Sequence, residues 1–428
     1  MASVLCSFPG SSLHDLCYFA IKFLWVVCFL MAGVINGEYE TPSPTPTPKV
    51  FDVIKFGAVG DGKNDDTKAF AYAWAAACTA SSCLPTLFVP GNKKYYVEQI
   101  IFDGPCSSNN VTVQIEGTIV APEKPSAWNG KKADMWLKFD SVNGLTFHGS
   151  GLIDGRGSNW WNQSCKRNPK MGCTTTAPTA VRFVHCNDLV VKNMTFMNSP
   201  QTHVTIENSE RVRVSSLNIT ANATSPNTDG IHIQASQNVV VFNTTIATGD
   251  DCISIGDRSS NVMVKNCTCG PGHGMSIGSL GKGGSNASVE NIHISYTTIF
   301  NTTNGARIKT WQGATGFARS ITFDHITLTD VNNPIVINQY YCDSHSKCPI
   351  QKDAVQISNV TFSNFWGTSM SKVAVALNCS TTVPCTGIKI KEVNITSTDT
   401  GDSTEAACIN AHGWAQGCVN PKVSCLSK

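Results

Sequence analysis

The stretch QNVVVFNTTI, residues 237–246, decides the fold. Apolar residues stand at its third, fifth and tenth places, and Thr244 stands at the eighth, which is apolar in most of the copies. That is period-two alternation broken once in the middle, the pattern of two short strands around a bend. The pattern recurs in NDLVVKNMTF from 187, ERVRVSSLNI from 210, SNVMVKNCTC from 260, ENIHISYTTI from 290 and RSITFDHITL from 319. It continues in DAVQISNVTF from 353 and TGIKIKEVNI from 386, and NGLTFHGSGL from 143 reads as an earlier copy. A further apolar strand follows each bend: DGIHI, DCISI, HGMSI, GARIK, NPIVI. Repeats of this size with one direction and a fixed internal order predict an all-β chain wound as a single-stranded parallel β-helix. An immunoglobulin-like sandwich would instead need antiparallel hairpins with tight turns. Residues 65–80, DDTKAFAYAWAAACTA, form the best helix in the chain and are expected to cap the N-terminal end of the solenoid. The Cys-rich stretch from Cys408 to Cys425 is expected to close the other end.

The bulk composition narrows the function. The chain has 428 residues, a net charge of +2 and only 14% charged residues, against roughly a quarter in an average globular protein. No global field for nucleic acid or membrane follows, and no zinc-finger spacing, P-loop or dinucleotide fingerprint is present. Lys22 precedes the apolar run FLWVVCFLMAGVING, so residues 1–37 read as a secretory signal, with a membrane anchor as the rival reading. Residues 38–49, containing TPSPTPTP, read as a Pro/Thr-rich linker, and 50–428 as one catalytic domain. Of nineteen cysteines, Cys6, Cys17 and Cys28 fall in the signal; the rest are even in number and predict a disulfide framework. Close pairs are Cys342 with Cys348, Cys379 with Cys385, and Cys408 with Cys418. Asn-x-Ser/Thr sequons, among them Asn193, Asn243, Asn266 and Asn359, agree with a secreted glycoprotein.

Aligning the second strands brings the acids together. Asp229 precedes Gly230-Ile231, Asp251 precedes Cys252-Ile253, and His273 precedes Gly274-Met275. Equivalent residues of adjacent coils stack about 4.8 Å apart, so these three form a column with Asp250 beside it. Gly305-Ala306-Arg307-Ile308-Lys309 continues the register and turns Arg307 and Lys309 outward, as His232 and Ser254 are. Strict alternation puts Asp229 and Asp251 in the parity of the inward isoleucines, so the turn before each glycine must re-aim them. Asp and Asn are also ordinary turn residues in solenoids. Stacked carboxyls raise one another's pKa, which keeps one protonated while another ionises. Such a pair flanking a glycosidic bond is the equipment for its hydrolysis.

SPNTDGIHI, TGDDCISIG, CGPGHGMSIGSLG and ARIKTWQG stand in this order, and through them residues 50–425 resemble the plant-like polygalacturonases, a family of glycoside hydrolases. The resemblance implies a right-handed parallel β-helix, no metal or other cofactor, and inverting hydrolysis of α-1,4-linked galacturonan. It implies Asp250 as general acid, Asp229 and Asp251 as activators of water, and His273 as support for the acid. It further implies Arg307 and Lys309 as carboxylate-binding residues, Tyr341 and Asn227 at the cleft, and a Cys252–Cys269 bridge beneath the site. The expected partner is pectin or homogalacturonan, met by a secreted monomer in the cell wall, with no nucleic acid and no membrane once the signal is removed. Internal cleavage is favoured because no long insertion separates the motifs. The alternatives are chain-end attack, a related rhamnogalacturonan or xylogalacturonan hydrolase, a pectate lyase, and an inactive wall-binding β-helix.

Overall fold

Each repeat lays its strands parallel on the repeat before it. In a computed structural model describing residues 49–426, apart from 83, 129–133, 167–176, 344–347 and 400, every strand pairing is parallel. The signal expected at 1–37, and all but the last residue of the linker, lie outside the described residues. The strands form a 21-stranded and an 11-stranded sheet, wound into a right-handed β-helix. Val190, Arg213, Val240, Met263, His293 and Thr322 stand in register on successive coils, as the repeats aligned from 187 to 319 require. The next repeat begins at Ser358 and not at Asp353, because Arg319 pairs with Ser358. An irregular segment ahead of it carries apolar residues that mimic the pattern.

The bend inside each repeat has a physical basis. Its seventh residue is left-handed in coil after coil: Asn193 (φ 56), Asn243 (φ 52) and Asn266 (φ 53), but also Tyr296 (φ 50), His325 (φ 53) and Glu392 (φ 50). The second residue is left-handed as well, at Asn238, Asn261, Asn291 and Asn359. Asn is the non-glycine residue that enters this region most readily. Several sequon asparagines are therefore bend residues of the fold. Most inward positions are aliphatic or aromatic and fully buried, with Phe102, Phe139 and Phe183 stacked at centroid distances of 4.5 and 5.4 Å.

Helix α1 (Thr67–Thr79) packs its buried face, Phe70 and Trp74, on Tyr95, Phe102 and Phe139 of the first coils. Asp66 at its start does not cap it; its carboxylate accepts from the Val59 and Gly60 amides. Among the described residues no helix is long and apolar enough to cross a membrane.

Disulfides join Cys252 to Cys269, Cys342 to Cys348 and Cys379 to Cys385 as expected, and Cys78 to Cys106 besides. The expected Cys408–Cys418 pair is not made. Cys408 joins Cys425, because the tail carrying the buried Val423 and Leu426 turns back against the coil end; Cys418 is disulfide-bonded elsewhere. Nor do all the remaining cysteines pair. Cys186 and Cys267 are buried free thiols, and Cys267 simply fills the inward eighth place of its repeat.

Candidate active site

Five strands of the smaller sheet build the site: β1 (Ile231–Gln234), β2 (Ile253–Ile255), β3 (Met275–Leu280), β4 (Asn304–Trp311) and β5 (Asn333–Tyr341). Ile231, Ile253, Met275, Ala306 and Ile335 stack inward in register. The turns feeding β1, β2 and β3 therefore place Asp229, Asp251 and His273 on adjacent coils. The backbone is tied across them: Gly230 N–H donates to the Asp251 carbonyl (2.9 Å) and His273 N–H to the Asp250 carbonyl (2.8 Å). Both glycines leave no room for a side chain: a Cβ at Gly230 would lie 2.6 Å from the Cys252 carbonyl oxygen and one at Gly274 1.9 Å from that of Asn304, and Gly274 also has φ 84. The Cys252–Cys269 bridge anchors the residue next to Asp251 to the larger sheet.

The three carboxylates have different partners. Asp250, buried, meets His273 Nδ1 at 2.8 Å through Oδ1 and accepts from the Asn227 amide at 3.1 Å through Oδ2. Asp251, also buried, accepts on Oδ1 from Ser276 Oγ (2.8 Å) and Arg307 (2.6 Å), and on Oδ2 from Lys309 Nζ (2.8 Å). Asp229 accepts from Ser254 Oγ at 2.7 Å. Arg307 and Lys309 thus reach the acids directly, and both are held by Asp251. Lys309 also lies 5.3 Å from the Tyr341 ring centroid.

This arrangement separates the acids' protonation. Burial, reinforced by the charges of Asp250 and Asp251, pushes Asp229 up to about 7. Burial acts the same way on Asp250, but the hydrogen bond and charge of His273 outweigh it and hold Asp250 well below the usual carboxylate range. The carboxyl of the cluster that is protonated in mild acid is thus Asp229.

An open cleft of about 550 Å³ runs over the site, lined by Asn227, Asp229, Asp250, Asp251, Lys309 and Tyr341 of the expected residues. Arg307 and His273 are not part of this lining and meet it at Asp251 and Asp250. Sequence reasoning gave no role to Ser254 and Ser276, although their register with His232 and Arg307 is legible in the repeats. It also missed Lys166, Arg182, Glu207 and Asp257 along the cleft. Atoms of Asp250, Asp251 and His273 lie within 4.8 Å of one another, close enough to surround a metal ion. Arg307 and Lys309 already occupy the two oxygens of Asp251, so a metal would have to displace protein cations there.

Carboxyl groups held in different protonation states along one open groove are the means of glycosidic hydrolysis, and the protein is a glycoside hydrolase. Residues 78–425 match the glycosyl hydrolases family 28, and the chain belongs to that family. It is 45% identical over 379 residues to "Polygalacturonase QRT2" of Arabidopsis thaliana, covering 89% of this chain and 85% of that one. Its fold is similar to the endo-xylogalacturonan hydrolase of Aspergillus tubingensis, with a TM-score of 0.72 at 23% identity over 86% of this chain and 100% of the other. The polygalacturonase of Erwinia carotovora gives a TM-score of 0.70 at 20% identity, covering 88% and 100% respectively.

Proposed function

We propose that the protein is a secreted polygalacturonase that hydrolyses α-1,4-galacturonosyl linkages of de-esterified pectin with inversion, attacking within the chain. The observation that carries this reading is the convergence of three carboxyls, an imidazole and two cations on one cleft. Asp250 delivers a proton to the leaving oxygen, drawing on the proton it shares with His273. Asp229 and Asp251 flank the attacking water; Asp251 is bound on both oxygens, so Asp229 is the freer of the two, and it acts as base from its ionised form, once the proton it holds in mild acid has left. Arg307 and Lys309 take the carboxylate of a galacturonate alongside Asp251; a guanidinium fork suits that group. Asn227 and Tyr341 border the sugar. Outward residues from Arg182 to Arg307 span six stacked coils, a groove on the order of 20 Å. That length supports internal attack, and the disulfides support an extracellular site.

Reducing-end release from polygalacturonic acid, with products resolved by size and anomer, tests the reading. Early appearance of mixed oligomers with the β-anomer first is expected. Release of single end residues, α-anomer first, or release only from rhamnogalacturonan would contradict it.

A further inference from the structure

Along the outward register of β1 and β2, His232 Nδ1 lies 2.7 Å from Ser254 Oγ, and Ser254 Oγ lies 2.7 Å from Asp229 Oδ2. Ser254 is buried, and His232 and Asp229 both line the cleft. A hydroxyl has one proton to give, so the three groups admit two arrangements. With Asp229 ionised, His232 Nδ1–H donates to Ser254 and Ser254 donates to the carboxylate. With Asp229 protonated, its O–H donates to Ser254 and Ser254 donates to an unprotonated Nδ1. We propose that His232 and Ser254 form a reversible proton relay behind Asp229. The relay positions Asp229, sets when it is ionised and removes the proton that it takes from water. In the transfer the Asp229 O–H bond breaks as Ser254 Oγ gains that proton, while the original hydroxyl proton bonds to His232 Nδ1. No atom is left unbalanced, and the positive charge ends on the imidazole.

The surroundings fit a relay that does not stall. Asp250 and Asp251 on the next coil repel an ionised Asp229, and Lys309 beyond them favours it. On the imidazole side, burial pushes His232 down while the charge of Glu207 and the Gln234 side chain work in the opposite direction. Asp251 also favours a protonated His232, and Lys309 opposes it. Both ends therefore depart from ordinary values towards one another, which lets a proton sit at either.

The inference rests on Asp229 as the base, and its test separates the two ideas. Ser254→Ala should lower turnover by roughly tenfold, the effect of one charge-assisted hydrogen bond. It should also move the acidic limb of the pH–rate profile upward, because the ionised Asp229 loses its donor. His232→Asn, whose amide can donate to Ser254 as Nδ1–H does but cannot take up a proton, should hold Asp229 in place and still fall short of wild-type turnover; wild-type turnover and pH profile in His232→Asn would overturn the relay. An unmoved pH profile in Ser254→Ala would overturn the relay. Independently of turnover, histidine-selective ¹⁵N NMR should show His232 changing its Nδ1 protonation together with Asp229. That coupling should vanish in both Ser254→Ala and Asp229→Asn. If His232 titrates identically in all three proteins, the relay is wrong, whereas loss of activity in Asp229→Asn would still support the base.

Discussion

Two stacks run along this solenoid with the same geometry and opposite chemistry. On the larger sheet, Asn238, Asn261 and Asn291 occupy the second place of successive repeats. The Nδ2 groups of Asn261 and Asn291 donate to the Oδ1 one coil back, at 3.2 and 3.1 Å. On the smaller sheet, the turns stack Asp229, Asp251 and His273, with Asp250 alongside. An amide is donor and acceptor at once, so identical copies satisfy one another. A carboxylate only accepts, so copies repel and each needs its own donor. Ser254 serves Asp229, His273 serves Asp250, and Ser276, Arg307 and Lys309 serve Asp251. The catalytic face is where the repeat keeps its geometry and abandons its sequence. Reactivity follows from that unequal provision of donors.

The largest expected effect breaks the acid stack at its center. Asp250→Asn keeps shape but has no proton to deliver, so hydrolysis should fall at least about a hundredfold while the unfolding temperature changes little. Near-normal turnover in a folded variant would remove Asp250 from the acid's role. Arg307→Ala tests the provision of donors. With Asp251 still buried and served by Lys309, the loss should be about 2 kcal/mol in transition-state binding, seen in kcat/KM on polygalacturonic acid. The preference for de-esterified over methyl-esterified polymer should weaken with it; an unchanged preference would place carboxylate recognition elsewhere in the cleft. The smallest effect sharpens the comparison from the other side. Asn261→Asp puts a charge into the neutral stack at an exposed left-handed position that Asp tolerates. It should cost about 0.5–1.5 kcal/mol in denaturant unfolding and leave activity unchanged.

Much of this was legible because a solenoid writes its register into its sequence. The alternation in QNVVVFNTTI and its neighbours is enough to stack Asp229, Asp251 and His273, since each coil returns to the same place. The repeat from 353 misled for the same reason: apolar residues in an irregular segment imitated the pattern until pairing with Arg319 placed the true start at Ser358. Tyr296 and Glu392 hold left-handed bends that no local preference announces; stacking on neighbouring coils imposes them. Lys166 is carried to the cleft outside the repeats, beyond the reach of any periodic reading. The grip of Arg307 and Lys309 on Asp251 was hidden too, because side-chain direction within a turn is not a property of spacing.

The central claim is that Asp229 bears the cost of a buried acid stack, first through its burial and then through the charges of Asp250 and Asp251. Its folded value of about 7 lies above the roughly 3.9 of an unfolded aspartate, so the folded chain binds that proton more tightly. The stabilisation is complete below about pH 4 and is lost as the pH rises through about 7. Thermal unfolding of the wild type and Asp229→Asn, compared from pH 4 to pH 8, reads this directly. The account predicts that the wild type loses stability relative to the variant as the pH rises across that window. A difference that stays constant with pH, or that grows in favour of the wild type, would contradict it.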